Sequence, residues 1–298
     1  MSGVPIWVSS IPFILIHVAC LAVIWTGFTW VGLALCGFCY FIRMFGITGG
    51  YHRYFSHRAY KTSRPFQFVL AWLGCMSLQK GPLWWAAHHR NHHKYSDTEQ
   101  DVHSPITGTL FWSHVGWLFD RRNEETDWEG IHDFAKYPEL LWLNTYHWVP
   151  GISLAVFCWL IGGLSGYLQP EAAFSTMGAW SALVVGFFWS TVLLYHGTFA
   201  VNSLCHIFGT RRYATTDQSK NNWWVALFTL GEGWHNNHHH YQSSANQGFF
   251  WWEIDISYYI IQTLALFGLV WDVRTPPHNK KYVGYEESQP SVPTMAGS

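Results

Sequence analysis

Three short stretches scattered over most of the chain have to meet, and that requirement limits the fold more than anything else in the sequence. They read His52-Arg-Tyr-Phe-Ser-His57, His89-Arg-Asn-His92-His93 and His235-Asn-Asn-His238-His239, with His240 following. The chain carries 18 histidines in 298 residues. Neutral imidazole is the commonest protein ligand of zinc, copper, iron and nickel, so recurrence at ligand spacing calls for a metal centre. In the second and third boxes the histidines stand at i, i+3 and i+4, which on a helix puts them on one face. The first box spaces its pair five apart, about 140° round an ideal helix. Both can reach one metal only across a helix end or a distortion. The eight imidazoles of the boxes exceed what one ion uses, and two ions are expected. Outside the boxes, His17, His114, His132, His147 and His196 are expected to be ordinary hydrogen-bonded core residues.

Aromatic residues make up 19% of the chain and charged residues only 12%, against a usual charged share near 25%. A chain so poor in charge is solvated largely by lipid. The formal net charge of -1, with no Lys/Arg run and no Gly-rich phosphate loop after a strand-like stretch, gives no nucleic-acid partner. The six cysteines suggest no disulfide framework. Cys36-x-x-Cys39 lies inside an uncharged run and reads as packing.

Residues 4–26 and 29–47 are apolar runs of spanning length joined by a short Gly-Phe-Thr link, an antiparallel hairpin. Residues 147–168 and 173–201 form a second pair around Gln169-Pro170-Glu171. Residues 66–79 are too short to span and suit a buried or re-entrant helix. Residues 94–137 are polar and belong in water. The run 249–271, with Glu253 and Asp255 near its start, reads as an interfacial amphipathic helix. Residues 1–275 then make one membrane domain, and 276–298 a disordered tail. The apolar N-terminal run lacks a positive flank and a cleavage site, and reads as a retained segment.

All 17 Lys and Arg residues fall in 43–136 or 211–281, and neither expected outer turn carries one. By the positive-inside rule both charged regions are cytoplasmic. The expected architecture is an all-α membrane protein: four transmembrane helices in two hairpins, both termini inside, and a cytoplasmic helical cap carrying a histidine-ligated dimetal site.

Only imidazole recurs at ligand spacing, which disfavours magnesium and calcium. Zinc hydrolases manage with three protein ligands, so this many imidazoles at a membrane edge point to two irons and dioxygen chemistry on an aliphatic substrate. The box spacing and the words around it resemble the integral-membrane fatty acyl desaturases, in particular the stearoyl-type, delta-9-like bacterial branch. The resemblance rests on Gly49-Gly50-Tyr51-His52-Arg53 with Ser56-His57-Arg58, on His89 to Asp97, on Asn202-Ser203-x-x-His206, and on Gly231-Glu232-Gly233-Trp234 before His235. It covers about residues 40 to 275.

That resemblance implies nine histidine ligands, His52, His57, His89, His92, His93, His206, His235, His238 and His239, with Asn202 holding one metal through a water. It implies two non-haem irons, O2 as co-substrate, and an acyl-CoA or acyl-lipid substrate in a bent tunnel. A separate electron donor such as a ferredoxin with its reductase is implied, because no haem-binding His-Pro-Gly-Gly occurs here. It also implies a multi-pass protein of the bacterial cytoplasmic membrane. Trp85, four residues before His89, is weighed evenly between lining or supporting the site and plain packing. Glu232 and Asp97 are candidates to orient ligand imidazoles through their second ring nitrogen. Asp101 is weighed evenly between that role and a solvated charge. His88 and His240 read as hydrogen-bonding neighbours. Animal acyl-CoA members read Trp-Ala-Arg-Asp-His-Arg before box two, whereas this chain has Trp85-Ala86-Ala87-His88-His89-Arg90, which sets CoA recognition of that kind aside. The rival readings are a membrane diiron hydroxylase of lipids or alkanes, whose boxes carry Glu beside His, and a histidine-rich metal transporter, whose ligands would lie inside the spans.

Overall fold

The computed structural model describes residues 6–170 and 172–283. It is built of helices, with one two-stranded antiparallel ladder pairing Lys61–Thr62 with Val270–Trp271. Among the described residues three helices are long and apolar enough to cross a membrane: Trp30–Ser56, Val149–Leu168 and Thr176–Leu204. The fourth expected span, 4–26, gives a shorter apolar helix, Ser10–Thr26. A 3-10 turn at Cys20–Ala22 interrupts it, and Gly27 at φ 63 ends it. Thr29 then starts the next helix by accepting from Gly32 N at 3.0 Å, which satisfies a free amide of the first turn.

Thr176–Leu204 is the middle of the bundle, packing on Trp30–Ser56, on Val149–Leu168 and on the first helix. Small residues allow this. A Cβ on Gly162 would lie 2.4 Å from the Gly178 carbonyl, and one on Gly186 would lie 2.9 Å from Leu35 Cβ. Close backbone approach through small residues is how helices associate where lipid gives no hydrophobic drive. Cys39 meets Cys158 in this core at 3.7 Å, so the Cys36-x-x-Cys39 pair is split by packing.

Three expectations change on folding. The amphipathic run over 249–271 is helical only from Ile256 to Leu266. Glu253 and Asp255 turn inward, 2% and 1% exposed, and Asp255 caps the helix by accepting from Tyr258 N at 3.0 Å. The polar stretch 94–137 is not simply a solvated loop. Its helix Leu110–His114 packs on the Ser190–Leu204 part of the central helix, where Ser113 Oγ donates to the Asn202 carbonyl at 3.0 Å. Of the tail expected to lack structure, His278–Lys281 forms a helical turn, with Tyr213 donating to the Lys281 carbonyl. Residues 284–298 lie outside the described residues, as do residues 4 and 5 of the first run and Glu171 of the second turn.

Candidate metal centre

Box one lies on the last turns of Trp30–Ser56. From Gly46 to Ser56 that helix is a π-helix, and His57 N donates to the His52 carbonyl at 3.2 Å, an i+5 to i bond. In this register residues five apart stack along one face, which removes the 140° offset of an ideal helix. Box two is carried by Pro82–Tyr95, whose first turn is tied down by Asn144 Oδ1 accepting from Trp84 N at 2.9 Å. Box three forms the short helix His235–His240. Arg53, fully buried, joins the first and third boxes: it donates to Asp255 Oδ1 at 2.8 Å, to the Ala245 carbonyl at 2.7 Å and to Glu232 Oε1 at 3.0 Å.

Nine imidazoles converge into two groups, His52, His57, His89, His93 and His238 in one, and His92, His206, His235 and His239 in the other. Within each group one ring nitrogen per residue lies within 4.8 Å of the rest. The single helix face expected of each later box divides. His89 and His93 enter the first group and His92 the second; in box three His235 and His239 enter the second group and His238 the first. Helix geometry accounts for this crossing. The i+4 residue sits about 40° from i, whereas i+3 sits about 60° to the other side. A box therefore straddles two points.

The nitrogens facing one another are mostly Nε2. Their separations are 3.0 Å for His52–His238, 2.9 Å for His57–His89, 2.9 Å for His93–His238 and 3.1 Å for His206–His235. Behind four of the rings stands a carboxylate: Glu232 on His52 Nδ1, Asp101 on His92 Nδ1 at 3.1 Å, Asp97 on His206 Nδ1 at 2.9 Å and Asp217 on His239 Nδ1 at 2.6 Å. An ionised carboxylate only accepts, so Nδ1 carries the hydrogen and Nε2 presents a bare lone pair. Bare lone pairs of His92, His206 and His239 aimed at one point repel unless a cation lies between them. The Nε2 of His239 is buried with no partner. An all-nitrogen donor set backed by carboxylates fits iron, zinc, copper or nickel.

Burial, with mutual repulsion among the rings, pushes His57, His89, His93, His235 and His238 well below the usual imidazole range, and His239 down to about 4. These rings are neutral and free to bind a cation at neutral pH. Burial alone would raise the Asp101 carboxyl, but His92 and His103 beside it hold it below the usual carboxylate range.

A cavity of about 420 Å³ runs up to the first group. Phe13, Ile16, Leu78, Tyr195 and Phe199 make its apolar wall, while Lys80, Glu124 and His147 lie on a polar part. It touches the first group through His89, against whose ring Trp85 stacks at 5.1 Å and 21°. Trp85 thus lines the cavity and supports a box histidine at once. Asn202 also lines the cavity. His88 Nδ1 donates to the Trp84 carbonyl and His240 Nε2 to that of Lys280; neither joins a group. Asp101, weighed evenly as a solvated charge, is 7% exposed and committed to His92. Three further contributors carry no signal at fixed spacing: Asp217, Gln247, whose amide lies 3.3 Å from His52 Nδ1, and His103, whose ring lies 4.4 Å from that of His92.

Residues 25–256 match the fatty acid desaturase family. The chain is 36% identical over 271 residues to an sn-1 stearoyl-lipid 9-desaturase of Anabaena variabilis, covering 90% of this chain and 93% of that protein. It is 35% identical over 277 residues to an sn-2 palmitoyl-lipid 9-desaturase of Nostoc sp. (strain 36), covering 91% of each. An acyl-CoA 5-desaturase of Anemone leveillei is 37% identical over 276 residues, covering 89% of this chain and 79% of that protein.

Proposed function

Because the chain belongs to the fatty acid desaturase family and is a fatty acyl desaturase, we propose that it places a cis double bond near carbon 9 of a saturated acyl chain at a pair of irons. The observation that carries this is the meeting of two imidazole groups with an apolar cavity at His89 and Trp85. His52, His57, His89, His93 and His238 would hold one ion, and His92, His206, His235 and His239 the other, with Asn202 holding one of the two through a water. An iron pair held there supplies the activation of dioxygen. The chain's own residues do the rest. Glu232, Asp101, Asp97 and Asp217 fix the ring orientations, Trp85 holds His89 against the cavity, and the apolar wall excludes water from the acyl carbons. The sum is one saturated chain, O2, two electrons and two protons giving one monounsaturated chain and two waters.

The regiochemistry is carried over from the 9-desaturases among the relatives. The electrons come from a separate carrier such as a ferredoxin with its reductase. The placement of Lys and Arg supports four crossings, with the first helix as the fourth, and with both termini and the metal centre on the cytoplasmic side of a bacterial membrane. Expression in a host that supplies iron and an electron donor tests the reading. A new monounsaturated acid is expected with the intact protein and none with His93→Ala, whose purified form should also hold less iron. A new hydroxy acid in its place would move the reading to a hydroxylase.

A further inference from the structure

Three histidines outside the boxes, each expected to stand alone, are joined into one strip. His17 lies on the first helix, His196 on Thr176–Leu204 and His114 at the end of Leu110–His114. His17 Nδ1 donates to the Phe13 carbonyl at 2.7 Å, which leaves its Nε2 an acceptor. His196 Nε2, 3.3 Å away, therefore donates, and its Nδ1 accepts from His114 Nε2 at 3.0 Å. His114 Nδ1, bare in turn, faces the Ser203 hydroxyl at 2.9 Å. One placement of protons makes both ring-to-ring links with all three rings neutral, while the Ser203 hydroxyl donates to the Phe199 carbonyl at 2.9 Å. His196 uses nitrogens on two edges of its ring, so the three do not converge as a chelate would.

The strip lies over the wall of the cavity. Phe13 stacks on Tyr195 at 5.5 Å, Tyr195 stacks on Phe199 at 5.7 Å, and all three line the cavity. Beyond the strip, Ile14, Leu15, Val18 and Leu193 are exposed apolar side chains. The wall here is an aromatic layer inside and an imidazole layer outside. It is also where the bundle is least embedded: no residue of 11–26 is buried. Pro12, inside the first helix and on the cavity wall, removes a backbone hydrogen bond there.

We propose that the acyl chain passes from the bilayer into the cavity through this seam between the first helix and Thr176–Leu204, fastened by His17, His196 and His114, so that the substrate is an acyl chain carried on a membrane lipid. This rests on the cavity being the acyl site. Interhelical hydrogen bonds in lipid contribute modestly because separated partners find others. A strip of them closes the wall and still lets it open without unwinding a helix.

The test uses the full chain in vesicles containing a phosphatidylglycerol with a diazirine in one acyl chain. Photolabelling at Trp85 is mapped by mass spectrometry. In an H17C/H196C protein on a C20A/C36A background, a bis-methanethiosulfonate bridge across the seam is expected to reduce Trp85 labelling to background, and dithiothreitol to restore it. His196→Leu, which removes the central link, should speed labelling. Equal labelling of bridged and unbridged protein, or an unchanged rate for His196→Leu, overturns the seam. So does labelling by the same acyl group on CoA added from water when the lipid gives none. Iron-loaded protein that is labelled through the seam and forms no double bond supports the seam and overturns the desaturation reading.

Discussion

At the scale of single residues, the centre depends on groups that would never touch a metal. Asp217 lies 22 residues from His239 in sequence, yet its carboxylate fixes that ring with the Nε2 lone pair turned inward. Its pKa is held below the usual carboxylate range: burial raises it, and the hydrogen bond from His239 more than offsets that. An amide there also accepts a hydrogen bond but lacks the charge. Asp217→Asn is expected to weaken metal binding by about 10- to 100-fold, the usual effect of losing a supporting partner. Titration with a competing chelator measures this, and an unchanged affinity would remove Asp217 from the centre. Arg53 works one step further out. Buried with two carboxylates and a carbonyl, it has no water to turn to, so the first and third boxes are held in register by charge that is matched inside the protein.

At the scale of elements, the π-helix of Gly46–Ser56 decides whether the first box works. The helix Arg64–Cys75 crosses it so closely that a Cβ on Gly46 would lie 2.6 Å from the backbone carbon of Leu73. Backbone cannot swing aside as a side-chain tip can. Gly46→Ala is expected to cost about 1–3 kcal/mol, as overpacking commonly does, and to shift His52 and His57. Gly37 lies on the same helix with nothing within 4 Å of its Cβ position. Gly37→Ala should be neutral or slightly stabilising, since alanine is the better helix former. Thermal melting of the two variants separates a local clash from a general loss of glycine. Equal midpoints would mean that the crossing is looser than the geometry gives.

At the scale of the whole molecule, the burial of so many neutral imidazoles links stability to pH. An unfolded imidazole titrates near 6.5, whereas His239 in the folded chain is pushed down to about 4 and five other box histidines are also lowered. Below about 6.5 the unfolded chain therefore binds more protons than the folded one, and stability is lost as pH falls. The metal-free protein should melt at steadily lower temperature from pH 7 towards 5, and change little between pH 7 and 8. Bound metal would steepen the acid side, because protons and cation compete for the same lone pairs. A melting temperature independent of pH over 7 to 5 would contradict neutral burial of these rings.

The histidine boxes were legible without any structure because metal ligation is written in residue type and short spacing, and helices repeat locally. The three long spans were legible because apolar length is itself the physical requirement for crossing a bilayer. Helix geometry separates the i+3 histidine of each later box from the i and i+4 pair, but which group each part joins depends on where the facing helices stand. Nor could it show that His52 and His57 share a face, because nothing in the local pattern announces the π register of Gly46–Ser56. Asp217 and the strip of His17, His196 and His114 join positions far apart in the chain, and neither charge nor spacing marks them beforehand. The sequence by itself determined the donor atoms and the apolar setting, through the chemistry of the side chains. Only the tertiary structure decided which donors meet, how their second nitrogens are anchored and where the cavity touches them, because those are relations between surfaces that folding alone brings within reach.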